Sequence, residues 1–388
     1  MVTPYTVGFM RLMLRLSDSL FFGSFCRHGR PTIVSSSGRC SSLFSAMFGL
    51  LALGVAVLSA AEQCRAELEI KHFDITKGRL AFSYTVDKQT DIYVLDFDDL
   101  TVTPLIKTSG VEEWPVWSPD GSKIAYYSTA SGDSEVYVAN FDGTGQKRLT
   151  VSPGVDEDPE WSPDGKKIVF QSARDSKGSN LYVMGADGSE PRALTKGDKI
   201  KSVPRWSPRG NEILYSTNEF WPGWDIVLYD IPTAKSKALT SGYRSYCRAA
   251  WHPSGGSFIF SYGAGDAIDI YEQDKGESQP VAVITRPGRD YDAIWDDTGE
   301  RLFFVSESEE GKGDFQIFVY IKKTKETHQV ISGEGVARYL SWTPHSSIAT
   351  LEKKRRIAAK VQGSGTQEEA SGPPPMGVDP ANLEPKKP

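Results

Sequence analysis

The chain repeats one pattern of hydrophobic and polar positions six times between residues 67 and 351. Each copy contains an apolar run that ends in tryptophan, a polar turn related to Ser-Pro-Asp-Gly, and further apolar runs. A period of about 40–50 residues is typical of a repeat architecture in which neighbouring units bury a shared core. The six tryptophans, spaced 44 to 47 residues apart, are Trp117, Trp161, Trp206, Trp251, Trp295 and Trp342.

The turn after each tryptophan predicts that a strand ends there. Serine suits the first position of a type I turn, proline presets φ at the second, aspartate suits the third, and glycine takes the left-handed position. Apolar runs rich in β-formers follow, such as residues 124–127 and 136–138. An Asp-Gly turn at 142–143 then leads into a short fourth run at 147–150. Four strands in about 44 residues predict one propeller blade.

The two ends of the repeat region allow two ways of closing a ring. At the N-terminal end, residues 68–73 can form a degenerate first strand that lacks the proline turn. At the C-terminal end, residues 338–342 and 348–351 supply the first two strands of a last unit, without a third and a fourth. Either the C-terminal strand completes the N-terminal blade, or the tail is a stunted seventh blade. Latching leaves no open sheet edge. We therefore predict an all-β, six-bladed β-propeller with four-stranded antiparallel blades, with seven blades as the alternative.

Both ends of the chain differ from the repeats in composition. Residues 1–61 end in an uncharged apolar stretch, 43–61, which follows Arg39 and closes on small residues. That layout is typical of a secretory signal peptide, although about 19 apolar residues can also span a bilayer. Residues 352–388 begin basic, become proline-rich, and contain too few apolar residues to fold. We expect a leader, a propeller over 67–351 and a disordered tail. The protein would be periplasmic or secreted, or else anchored by 43–61.

Charge and cysteine usage limit the classes of partner. The net charge is −6, divided between +4 in residues 1–61 and about −10 in the remainder. An acidic body argues against a nucleic-acid partner, because phosphate binding requires a basic face. Three of the four cysteines lie in or beside the leader, so no disulfide framework is expected. We expect a monomer that contacts a membrane only through an uncleaved leader.

The sequence contains no recognisable catalytic motif. It lacks a Gly-x-Ser-x-Gly elbow, a phosphate-binding loop and a His-Glu-x-x-His zinc motif. None of the five histidines stands at ligand spacing from another, and the acidic residues 156–158 do not match a calcium-binding loop. The sequence therefore favours a protein that is not an enzyme and has no cofactor and no catalytic residue. A structural or channel-bound divalent cation stays open as an alternative.

The residues just before each tryptophan vary from blade to blade. The first strand of a propeller blade lines the central channel, so we expect the residues three and four places before each tryptophan to ring one channel mouth. Carboxylates, arginines and aromatics suit a polar ligand or a peptide, because arginine binds carboxylates in bidentate fashion. Hydrated channel residues without a ligand are the alternative. The candidate site residues are Glu113, Trp114, Glu157, Asp158, Arg248, Tyr291, Asp292, Arg338 and Tyr339.

The Trp-Ser-Pro-Asp-Gly-x-x-Ile-Ala phrase at 117–125, the Tyr-Val strand and the Asp-Gly turn before Arg-Leu-Thr resemble the TolB propeller repeat, also described as PD40 or WD40-like. Copies 117–150 and 161–195 are nearly consensus. The resemblance implies a six-bladed periplasmic propeller that offers its channel mouth to protein partners, notably a peptidoglycan-associated lipoprotein and the peptides of imported toxins. That family carries an α/β domain before the propeller, and we expect this chain to lack it.

Two functional hypotheses follow from these observations. The first is an exported, non-enzymatic propeller scaffold that binds a protein or peptide at the channel mouth, in an envelope system of the Tol-Pal kind. The second is a propeller lyase or hydrolase that acts on a sugar or peptide with a metal in the channel. Similar repeats occur in peptidases and in lone secreted propellers, and a fold does not determine a function.

Overall fold

The computed structural model describes residues 69–70, 75, 78–97, 100–220, 223–241, 245–265, 267–307 and 314–344. These residues form strands, turns and loops, without a helix. Accordingly, the described part of the chain holds no helix of the length and apolar character needed to cross a bilayer. The predicted leader, 1–61, and the predicted tail, 352–388, lie outside the described residues.

Twenty-five strands form six antiparallel sheets. In chain order they are β1 (Glu69–Ile70), β2 (Arg79–Val86), β3 (Gln89–Asp96), β4 (Thr101–Ile106), β5 (Glu112–Trp117), β6 (Lys123–Ser128), β7 (Glu135–Asn140), β8 (Lys147–Arg148), β9 (Asp156–Trp161), β10 (Lys167–Ser172), β11 (Asn180–Gly185), β12 (Arg192–Ala193), β13 (Lys201–Trp206), β14 (Glu212–Thr217), β15 (Asp225–Asp230), β16 (Lys235–Ala238), β17 (Ser245–Trp251), β18 (Ser257–Ala264), β19 (Ala267–Asp274), β20 (Val281–Ile284), β21 (Asp290–Trp295), β22 (Arg301–Glu307), β23 (Phe315–Ile321), β24 (Glu326–Ser332) and β25 (Val336–Thr343).

The sheets are the six blades of a propeller, and the C-terminal strand closes the ring. Blade 1 has the strand order β25-β2-β3-β4, and blades 2 to 6 begin with the inner strands β5, β9, β13, β17 and β21. Each inner strand contacts the next around the ring, and β21 contacts β25. The predicted six blades and the C-terminal latch are confirmed. The seven-bladed alternative is wrong, because β25 pairs directly with β2.

The predicted role of residues 68–73 as the first strand of blade 1 is wrong. Glu69 and Ile70 form β1, which pairs with β24 as a fifth strand on the outer edge of blade 6. The inner position of blade 1 is occupied by β25, which brings the sixth repeat tryptophan, Trp342. A short strand without that anchor adds instead to an exposed edge, which it covers.

In its two consensus copies, the turn phrase forms a local network of hydrogen bonds where the inner strand ends. The Ser118 hydroxyl donates to Asp120 Oδ1 at 2.7 Å and accepts the Lys123 N–H at 2.9 Å. Gly121 follows with a φ of 66°, a conformation that glycine adopts without steric cost. The copy from Ser162 to Lys167 repeats both side-chain bonds.

Tryptophan and threonine side chains make further hydrogen bonds, as the copies in blades 2 and 3 show. Trp161 is buried and donates its indole N–H to the Val116 carbonyl of the preceding blade at 3.1 Å. The Thr150 hydroxyl, at the end of the Arg-Leu-Thr phrase, accepts the Val136 N–H at 2.9 Å. Its counterpart Thr195 makes the equivalent bond in blade 3. The repeated phrases therefore build the architecture.

Candidate functional site

Every inner strand contains a β-bulge, and the candidate site is built on these six bulges. In β5, Glu113 pairs with Tyr127 and Val116 with Ala125, so that two residues, Trp114 and Pro115, lie opposite one residue of β6. The same two-against-one register occurs in the other five inner strands. Bulges of this kind redirect a side chain out of the regular pleat.

The first residue of each bulge adopts a left-handed backbone conformation. These six residues, which we call the bulge layer, stand three places before each tryptophan. None of them is glycine, so each conformation carries a strain of about 1–3 kcal/mol. The bulge layer consists of Trp114 (φ 58°), Asp158 (54°), Val203 (55°), Arg248 (57°), Asp292 (53°) and Tyr339 (53°).

The bulge layer fills the axis of the ring at its own level. The Trp114 ring of blade 2 lies 4.5 Å from the Tyr339 ring of blade 1, centroid to centroid. The Arg248 guanidinium of blade 5 lies 5.3 Å from the Tyr339 centroid, and the Arg205 guanidinium of blade 4 lies 5.0 Å from that of Trp114. All six members of the layer are at most 9% exposed. These buried residues form a layer at the ring axis, which we call the floor of the channel, and their predicted role in binding stays a prediction.

Two predicted site carboxylates hold neighbouring blades together. Asp158 accepts the Val203 N–H at 3.0 Å, and Asp292 accepts the Tyr339 N–H at 3.2 Å. Because a bulge interrupts the ladder, its N–H groups need partners from outside the sheet. For the bulge of blade 2, Ser83 of blade 1 provides that partner by accepting the Trp114 N–H at 3.2 Å. Asp158 and Asp292 thus have structural roles as well as a place in the channel.

Arg248 is the most highly connected member of the bulge layer. It forms an ion pair with Asp292, and both side chains are 3% exposed. Its guanidinium also lies 5.3 Å from the ring centroid of Tyr291. Replacing one partner of such a buried pair strongly destabilises the fold, because the remaining charge is left buried without compensation.

The residues four places before each tryptophan form the next layer, towards the end where each blade connects to the following one. Glu113 and Arg338 are partly exposed there, whereas Glu157 and Tyr291 are buried. The Glu113 carboxylate accepts a hydrogen bond from the Tyr127 hydroxyl. Burial and the charge of Glu113 together raise the pKa of Tyr127 well above its usual value. Glu113 and Arg338 are thus the predicted site residues that water reaches best.

Sequence reasoning missed one ion pair in the channel wall. Glu160 and Arg205 precede their tryptophans by one residue, in neighbouring blades, and their side chains approach to 2.6 Å. Burial raises the pKa of Glu160, while Arg205 acts against that rise. Opposite charges at the same repeat position, 45 residues apart, are a signal that could have revealed the pair.

The acidic stretch 156–158 does not form a joint ligand set. The Asp156 carboxylate is fully buried, pairs with Arg174 at 2.7 Å and accepts the Ser152 hydroxyl at 2.9 Å. Asp158 is engaged with the next blade, as described above. Across the described ranges, histidine, cysteine and carboxylate side chains nowhere come together in a group of three or more that could hold a metal ion.

Comparison with protein families gives one match. The model of the TolB beta propeller domain, PD40, matches residues 72–246, which cover a little under half of the chain. No curated protein matches the sequence significantly.

Solved structures show the same fold. A TolB from Acinetobacter baumannii superposes with a TM-score of 0.61 and 17% identity, covering 68% of this chain and 66% of that TolB. The chain therefore spans slightly less than two thirds of the length of that TolB. A TolB-type protein from Agrobacterium tumefaciens gives 0.54 and 17%, covering 69% of this chain and 99% of the other. Hydrazine synthase from Kuenenia stuttgartiensis gives 0.59 and 11%, covering 70% and 47%. At these identities the likeness concerns the fold, which binding proteins and enzymes share.

Proposed function

Since this chain is a TolB-like β-propeller repeat protein, we propose that it is a non-enzymatic scaffold that binds a protein or peptide segment at the channel entrance. We define this entrance as Glu113, Glu157, Tyr291 and Arg338, above the floor made by the bulge layer. The bulge layer is the observation that carries the proposal. Glycine or asparagine would hold a left-handed conformation with less strain. Tryptophan, arginine, valine and tyrosine at this position instead support a role for their side chains.

The charge distribution at the entrance supports a peptide as the ligand. Glu113 and Glu157 lie on blades 2 and 3, whereas Arg338 and Tyr291 lie on blades 1 and 6. An extended peptide has hydrogen-bond donors and acceptors along its backbone. Its side chains can present opposite charges to the acidic side and the basic side of the entrance. Because the floor is closed, the peptide cannot pass through the channel, and its end contacts the residues that line the pocket.

We further propose that the protein is exported and works in a cell envelope, with a peptidoglycan-associated lipoprotein as its partner. This part rests on the likeness to the TolB propeller and on the leader-like residues 43–61.

A pull-down from the envelope fraction of the source organism tests the proposed function. The channel variant is Glu113→Gln/Arg338→Gln, which removes one charge of each sign from residues that water reaches, and keeps an acceptor for Tyr127. The matched control is Lys166→Gln/Glu190→Gln, an exposed pair on the connections at the opposite end of the strands. We expect the wild type and the control to capture the same partner and the channel variant to lose it. Equal capture by all three proteins would contradict the proposal.

A further inference from the structure

Arg338, at the channel entrance defined above, has no carboxylate partner among the described residues. Its guanidinium lies 4.3 Å from the ring centroid of Phe315 and 5.1 Å from that of Tyr291. No carboxylate of the described residues lies within ion-pair distance of it. Seven other arginines in the same part of the chain do have such a partner: Arg79, Arg148, Arg174, Arg205, Arg248, Arg289 and Arg301.

The surroundings of Arg338 favour an added negative charge. Desolvation, followed by the charge of Arg248, lowers the pKa of Arg338. The charge of Asp292 acts against this lowering of the pKa, but its carboxylate is already bound by Arg248 and by the Tyr339 N–H. A guanidinium has five N–H donors in one plane and matches a carboxylate with two parallel bonds. An anion beside Arg338 would therefore offset an electrostatic cost that the protein alone leaves in place.

We propose that Arg338 binds a carboxylate of the peptide segment that enters the channel. This inference rests on the proposed function, since the peptide brings the carboxylate to the entrance. A single carboxylate suits the site better than a polyanion, because Glu113 and Glu157, on the adjoining blades 2 and 3, make that side of the entrance acidic. The group comes either from an aspartate or glutamate side chain or from a C-terminus.

A peptide array tests the inference with probes of defined chemistry. Each sequence is presented in three forms: with a central glutamate and an amidated C-terminus, with glutamine in its place, and with glutamine and a free C-terminal acid. The proteins compared are the full-length wild type, Arg338→Gln and Arg286→Gln. Arg286 is the matched control, because it also lies 4.3 Å from a phenylalanine ring, that of Phe318, but follows an outer strand instead of lining the channel.

We expect the wild type and Arg286→Gln to retain carboxylate-bearing peptides about 10- to 100-fold better than their glutamine counterparts. Arg338→Gln should lose that preference. Preference for the glutamate form would identify a side-chain carboxylate, and preference for the free acid a C-terminus. Either result supports the inference.

Two other results would overturn it, and they differ. Equal retention of all three forms, unchanged in Arg338→Gln, would refute carboxylate binding while leaving the peptide scaffold in place. Absence of any retained peptide would count against both proposals. If Arg338→Gln does not fold, competition in the wild type decides the matter: free N-acetylglutamate should displace the bound peptide, and N-acetylglutamine amide, which has no carboxylate, should not. Equal displacement by both would refute carboxylate binding.

Discussion

Asp290 offers a quantitative test of how this propeller balances burial against charge. It begins β21, two residues before Asp292 of the bulge layer, and its side chain is fully buried. Neither carboxylate oxygen meets hydrogen-bonding geometry with a partner among the described residues. Burial raises the pKa of Asp290 to about 6, which the Ser306 hydroxyl and the charge of Arg286 only partly offset and the charge of Asp269 increases.

The rise from 3.8 to about 6 sets the expected magnitude. Two pKa units correspond to about 3 kcal/mol of differential stability. Because the folded state holds the proton more tightly than the unfolded state, the free energy of unfolding is highest below the unfolded pKa and falls as the pH rises through about 6. About 2 kcal/mol of this change lies between pH 4.5 and pH 8.

The variant Asp290→Asn removes this titration. Relative to the wild type, its free energy of unfolding should rise by about 2 kcal/mol between pH 4.5 and pH 8, measured by urea denaturation at both pH values. The variant Asp133→Asn, at an exposed position, is the control for the substitution of aspartate by asparagine. A pH-independent difference for Asp290→Asn would refute the assignment of a buried, proton-binding carboxylate.

Three further predictions concern the ion pair, the latch and metals. Arg248→Met should lower the free energy of unfolding by about 3–5 kcal/mol by leaving Asp292 charged and buried, and Arg248→Met/Asp292→Leu should lower it less, as a double-mutant cycle would show. A chain that ends at residue 335 lacks β25 and should unfold at a much lower temperature than a chain that ends at 344, because β2 then presents an open edge; equal melting temperatures would argue against the latch. Purified protein should keep its melting temperature after treatment with EDTA and carry no stoichiometric metal by elemental analysis, whereas bound manganese, zinc or calcium would favour the enzymatic alternative.

The architecture could be predicted because the turn phrase determines where strands end. Each Trp-Ser-Pro-Asp-Gly copy uses residues whose local hydrogen bonds are the same wherever they occur, as Ser118 and Ser162 show. The latch was predictable because residues 338–342 carry the sixth tryptophan. The place of β1 was not, since two paired residues without that anchor carry no signal that distinguishes an inner strand from an outer edge.

The form of the candidate site was harder to foresee. Positive φ is usually signalled by glycine, and the bulge layer instead uses residues such as Trp114 and Arg248. The variable positions were recognised from their place before each tryptophan. Their burial depends on contacts between blades, such as that between Trp114 of blade 2 and Tyr339 of blade 1, which join residues more than 200 positions apart.

The affinity of the purified peptidoglycan-associated lipoprotein for this propeller tests the central claim most directly. Calorimetry with the wild type, Glu113→Gln/Arg338→Gln and Lys166→Gln/Glu190→Gln gives the three dissociation constants under one set of conditions. Binding at the channel entrance predicts a loss of roughly tenfold or more in the channel variant and no change in the control. Equal dissociation constants for all three proteins, or a loss confined to the Lys166 and Glu190 variant, would contradict it.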